Sequence, residues 1–95
     1  MPLSMSTSFL IEGSIVIASR SIIVFVGDIR QGSVAKGMTI VVPLNRDRSI
    51  QLHVDAVELA DPGGKICLCV KYADLQDLDT IQKLKLEREL VEIAH

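Results

Sequence analysis

From Val26 to Gly37 the chain reads VGDIRQGSVAKG, with Gly27, Gly32 and Gly37 at a strict spacing of five. The segment leaves one Val/Ile-rich run, IIVFV, and enters another, MTIVVP. A phosphate-cradling loop needs G-x-x-x-x-G-K-[ST] opening a helix, because the lysine holds the outer phosphates. Gly27 and Gly32 have that separation, but Ser33 stands where the lysine must be, and a β-branched run follows. The mechanism is lost with the lysine, so no nucleotide is expected. The other meaning is sheet punctuation. Gly27 then marks a bend or a close approach of backbones, while Gly32 and Gly37 supply positive φ at two successive turns. Val34 between them can drop an apolar side chain onto the core.

The rest of the chain has the same grain. Phe9–Ile17 is strand-like, interrupted by Gly13, and Ser19-Arg20-Ser21 follows as a turn. Ile22–Val26 is apolar on both faces, which predicts a strand covered on both sides or one that meets a partner. Met38–Pro43 is a strand that the proline ends. Ile50, Leu52 and Val54 alternate inward. The inward parity then flips to Val57 and Leu59, which predicts a bulge near Asp55-Ala56. Asp61-Pro62-Gly63-Gly64 is a turn, and Lys65–Lys71 the next strand. In the tail, Leu75, Leu78, Ile81 and Leu84 recur every third residue, and Asp79 with Gln82 reads as a capping box. Leu84–Glu87 alternates like a strand, so the expectation is a short helical turn over about 75–82 and then a closing strand.

These elements predict an all-β fold: a small closed or nearly closed antiparallel barrel of about six strands, with a short helical turn near the C-terminus. Closure also hides edges that so apolar a sheet would otherwise expose. The 95 residues make one domain, 9–95, behind a flexible segment at 1–8. Aromatics are only 3% of the chain, so its apolar payload is Val, Ile and Leu. MPLSMSTS lacks the basic end of a signal peptide, and no apolar run approaches the ~20 residues of a membrane span. With two cysteines, this predicts a cytoplasmic protein with no membrane partner.

The net charge of −2 gives no general attraction to nucleic acid. Residues 1–48 hold five basic and three acidic groups, and residues 49–95 five basic and nine acidic. Arg20, Arg46 and Arg48, joined by Arg30 and Lys36, are candidates for an anion, RNA or partner contact, since loops on rigid barrels often carry binding sites. RNA remains possible, although stacking aromatics are scarce.

The run IASRSIIVFVGDIRQGSVAKGMTIVV, Ile17 to Val42, resembles the second-domain β-barrel of elongation factor Tu and related translational GTPases. That family reads GRG-x-V-V-x-G-x-I-x-x-G-x-I-x-x-G-D-x-V. Gly27, Ile29, Gly32, Val34, Gly37 and Ile40 fall on the pattern, and Arg20 on its arginine. AVELADPGGKICLCV resembles the family's later strand, turn and strand, so the likeness covers roughly 75 residues. The departures are Ser19-Arg20-Ser21 for GRG, one extra residue before Gly27, and Met38 for the acid. The resemblance implies a barrel that packs on another domain or helps hold aminoacyl-tRNA, and not GTP hydrolysis; no tRNA-contacting residue carries over.

Chemistry is weaker. Cys67 and Cys69 share one strand face, where two buried small hydrophobes are expected rather than a metal or redox pair. His53 and Asp55 form a possible general-base pair with no nucleophile beside them. No cofactor, metal or catalytic residue is expected. The sequence therefore predicts a non-catalytic binding module, with a protein partner or self-association, and as alternatives a homo-oligomeric assembly protein or, less well supported, a small enzyme.

Overall fold

A computed structural model describes residues 7–43, 47–60 and 65–94. Among these residues the chain is mostly antiparallel β-structure with one short α-helix. Seven strands form one sheet: β1 (Thr7–Ile17), β2 (Ile22–Gln31), β3 (Thr39–Pro43), β4 (Ser49–His53), β5 (Ala56–Ala60), β6 (Lys65–Lys71) and β7 (Leu90–Ala94). Helix α1 (Leu75–Lys83) lies between β6 and β7. The spatial order is β4-β3-β7-β1-β2-β6-β5. About six strands were expected, and no ladder joins β4 to β5, so the hydrogen-bonded sheet is open among the described residues and not closed.

The two edge strands are nevertheless successive in the chain. The Val54 amide donates to the Met38 carbonyl at 2.8 Å, and the next amide, of Asp55, donates to the Cys69 carbonyl at 2.8 Å. Ala56 is the ladder partner of Cys69. Residues 54 and 55 belong to no ladder, so where a bulge was expected the chain breaks between two strands instead. Here the parity flip marks a strand leaving one edge of the sheet for the other.

Two further irregularities bend the β1–β2 hairpin. Glu12 is the extra residue between Ile11↔Gly27 and Gly13↔Val26, and Arg30 the extra one between Phe9↔Ile29 and Ser8↔Gln31. Gly27 sits at the first, and a Cβ there would run into the Leu10 carbonyl. Gly32 and Gly37 have φ of +80° and +94°. After Gly32 the chain takes an irregular course to β3, and no helix follows it. Thr7 Oγ1 holds this excursion by donating to the Ser33 carbonyl at 2.9 Å, and Val34 packs against the core.

Phe9, Ile11, Ile23, Phe25, Ile40, Leu68, Val54 and Ile93 are fully buried at the centre. Ile81 of α1 and Leu86 after it also join this cluster. The helix begins earlier than a capping box at Asp79 and Gln82 allows. Asp74 is its N-cap and accepts from the Asp77 amide at 2.9 Å, while Asp79 pairs with Lys83 at 2.9 Å. Nor is Leu84–Glu87 a strand: Lys85 and Arg88 take positive φ there, and the Arg88 amide donates to the Ile11 carbonyl at 2.6 Å. Leu59, expected inward, is 75% exposed. No helix among the described residues is long and apolar enough to cross a membrane.

Candidate functional site

Ile22–Val26 is apolar on both sides because each side has its own cluster. Ile23 and Phe25 enter the main core, whereas Ile22 and Val24 join Cys69 in a separate buried cluster. Residues directly opposite in a ladder share a face. The pairings therefore lay out that second face in rows: Ile17–Ile22–Lys71, then Ile15–Val24–Cys69–Ala56, then Gly13–Val26–Cys67–Glu58. This is the outer face of the β1–β2–β6–β5 wall. Ile17, Val26, Ala56 and Cys67 are half-buried around the cluster, and Ile15 is 58% exposed. A groove of about 390 Å³ lies at the Arg20 end of this face, with Val24 and Cys69 among its lining residues and Arg20, Asp55, Glu58 and Lys71 around them.

Charges close both ends of the face. At one end Arg20 and Lys71 accompany Asp55, whose carboxylate lies 3.8 Å from Lys71 Nζ. At the other end Lys65 Nζ reaches Glu12 Oε2 at 2.6 Å and Asp28 Oδ2 at 2.9 Å. The bulge brings Glu12 within reach of that lysine. Hydrogen bonds from Lys65, and then the one shared with Glu12, hold the Asp28 carboxyl below its ordinary range. The Glu12 and Asp28 carboxylates in turn raise the Lys65 ammonium.

The face offers little for reaction chemistry. Burial, followed by the negative charge of Glu58, pushes the Cys69 thiol up. Its Sγ lies 4.0 Å from Glu58 Oε2, a weak contact that the protonated thiol donates. A thiol kept protonated is a poor nucleophile and a poor metal ligand. Cys67 and Cys69 are both free, and no group of three or more His, Cys, Asp or Glu among the described residues is placed to hold a metal. His53 and Asp55 are two residues apart in sequence but serve different surfaces. His53 lines a groove of about 330 Å³ between β4, β6 and α1, whereas Asp55 turns to Lys71 across the outer face.

The basic candidates are likewise divided. Arg20 ends the 3-10 turn Ala18–Arg20 and stands over the outer groove. Ser21 after it takes φ of 54°, and its carbonyl accepts from the Tyr72 amide at 3.0 Å, which ties the turn to the end of β6. Arg48 precedes β4 at the end away from Asp55, about 20 Å along the extended chain. Arg46 lies outside the described residues.

No family model, curated protein or solved structure matches this chain. The arrangement itself thus carries the functional reading. Sequence reasoning named Arg20, Cys67 and Cys69 separately. It missed that ladder register sets them on one surface with Ile15, Val24 and Lys71. The signal present was the doubly apolar run Ile22–Val26, because a strand with two apolar faces needs two coverings.

Proposed function

We propose that the chain is a non-catalytic β-barrel interaction module, like the second domain of translational GTPases, and that it docks a protein partner on its outer β1–β2–β6–β5 face. The observation that carries this is the second apolar cluster, Ile22, Val24 and Cys69, built outside the main core with exposed Ile15 beside it. The cluster itself is buried, so the surface it offers is Ile15 with half-buried Ile17, Val26, Ala56 and Cys67 around it; apolar surface grouped this way and rimmed by charge is the usual form of a docking site. The consecutive Val54 and Asp55 amides, which serve opposite sheet edges, support reading the sheet as a barrel whose wall is continued by the chain itself. Two free thiols support a reducing, cytoplasmic setting. A protein is favoured over RNA because Asp55 and Glu58 share Arg20's groove and oppose a phosphate there.

The test compares the wild type with Ile15→Lys, an exposed substitution that leaves the core intact. Affinity capture with each as bait should recover a partner with the wild type and lose it with the variant. A partner held equally by both would remove this face from the reading. RNA titration at low and raised salt supplies the control: binding that tightens as salt falls would replace the protein partner with a phosphate contact.

A further inference from the structure

Strands β4 and β6 face each other across the open seam of the sheet. The bond from the Asp55 amide to the Cys69 carbonyl joins the two sides, and no ladder joins β4 to β6 among the described residues. The main chain on both sides points into the gap. Backbone groups alternate sides along an extended strand. Val54 turns both of its groups to β3, since its amide donates to the Met38 carbonyl and its carbonyl accepts from the Gly37 amide at 3.0 Å. His53 and Gln51 therefore turn theirs the other way, to the seam. On β6 the Tyr72 amide donates to the Ser21 carbonyl on the β2 side, so Lys71 also turns its groups to the seam. Lys71 lies beyond Ala56↔Cys69, where the pairing of β5 with β6 ends.

These residues line the groove of about 330 Å³ between β4, β6 and α1, and its floor is Leu52, Val70, Tyr72 and Ile81, all buried. We infer that this groove takes an extended peptide segment of a partner protein, added to the free edge of β4 as one more strand. The inference does not depend on the outer face. A strand edge selects a main chain, because repeating amides offer donors and acceptors at the spacing the edge needs. The size agrees with that occupant. Ligand grooves run from about 300 Å³ upwards, so this one holds a few residues of chain and not a folded surface. Nor is the edge blocked: SIQLH of β4 holds neither the proline nor the lysine that commonly protects an exposed strand.

Register sets the sequence that fits. Residues directly opposite in a ladder share a face. The residues of the segment opposite Gln51 and His53 exchange main-chain bonds with them and point outward, as those two exposed side chains do. The residue between them lies opposite Leu52 and points inward, to the buried floor. The accepted pattern is one apolar residue between two that keep their N–H, so proline is excluded at both flanks.

The probe is the capped peptide Ac-Lys-Thr-Val-Thr-Lys-NH2, titrated to about 5 mM into the isotope-labelled full chain and followed by NMR, a range that reaches millimolar affinities. The amides of Gln51, His53 and Lys71 should shift and saturate. Two altered peptides, one with Asp in place of Val and one N-methylated at both threonines, should each bind at least about tenfold more weakly. His53→Pro removes an edge donor that no strand uses, and should weaken the probe while leaving the circular dichroism of the fold unchanged. Where that variant fails to fold, the N-methylated peptide makes the same test on the wild type. Ile15→Lys should bind the probe as the wild type does, which keeps this groove distinct from the outer face. No saturable shift at the three amides, or an N-methylated peptide that binds as well as the probe, overturns the inference. Shifts confined to β5 overturn the choice of edge, and shifts that follow protein concentration without peptide overturn the occupant by putting a second copy in the groove.

Discussion

The amide of Asp55 donates to the carbonyl of Cys69 at 2.8 Å, although Ala56 is the residue paired with Cys69 in the ladder. Because the Val54 amide has just served β3, this bond is the first that the moving strand makes to its new edge. Removing the donor should therefore cost more than removing the side chain. Asp55→Pro should destabilise by about 1–3 kcal/mol, the cost of orphaning a hydrogen-bonding group. Asp55→Ala loses an exposed pair to Lys71 and should stay within about 0.5 kcal/mol. Urea unfolding of the two variants measures the difference, and equal losses would mean that the backbone bond is not what matters.

Gly27 and Gly13 lie on facing strands of the same bent hairpin, yet their surroundings differ. A Cβ on Gly27 collides with the Leu10 carbonyl, whereas nothing lies within 4 Å of one on Gly13. Gly27→Ala must displace backbone, with an expected loss of about 1–3 kcal/mol. Gly13→Ala should be neutral or gain up to about 1 kcal/mol through the unfolded chain. Chemical denaturation that ranked the two the other way would contradict the bulge at Glu12.

The helix start gives a similar contrast. Asp74 caps α1 through the Asp77 amide, so Asp74→Ala should cost about 1 kcal/mol. Asp79 contributes only its pair with Lys83, and Asp79→Ala should cost about 0.3–0.5 kcal/mol. The capping box read at Asp79 and Gln82 requires the reverse order, and thermal unfolding of both variants separates the two accounts.

Much of this fold was legible because hydrophobic pattern and turn residues are local. Lys65–Lys71 coincides with β6, the positive φ of Gly32 and Gly37 was expected, and the parity flip at Asp55-Ala56 marks the break between β4 and β5 and not the expected bulge. What pattern cannot carry is partnership between distant segments. Nothing in β1 alone says that Glu12 reaches Lys65, or that Cys69 shares a face with Val24. Leu59 misled for the same reason. Alternation gives the face a residue points to, but not whether core lies beneath it near the end of a hairpin. Leu59→Ser should therefore shift stability by no more than about 0.5 kcal/mol, whereas Leu68→Ala, at a fully buried site, should cost about 2–5 kcal/mol. A large loss at Leu59 would restore the inward assignment.

The Lys65 triad makes its own prediction, on pH. Asp28 is lowered by its bonds to Lys65 and Glu12, from an ordinary value of 3.8. A carboxyl with a lowered folded pKa stabilises the fold fully above its unfolded value, and that contribution disappears as pH falls through the folded one. Lys65 is raised from 10.5, so its share is intact below that value and is lost only as pH climbs through the higher folded value. Between these limits the triad's contribution is flat. The Tm difference between the wild type and Asp28→Asn should thus hold steady from about pH 5 to about pH 9 and close on acidification below 3.8. Added salt should narrow it at neutral pH, since all three groups are partly exposed and screened. A gap that widened as the solution became acidic would reverse the sign of the interaction, and the acidic end of the outer face would then lose its anchor.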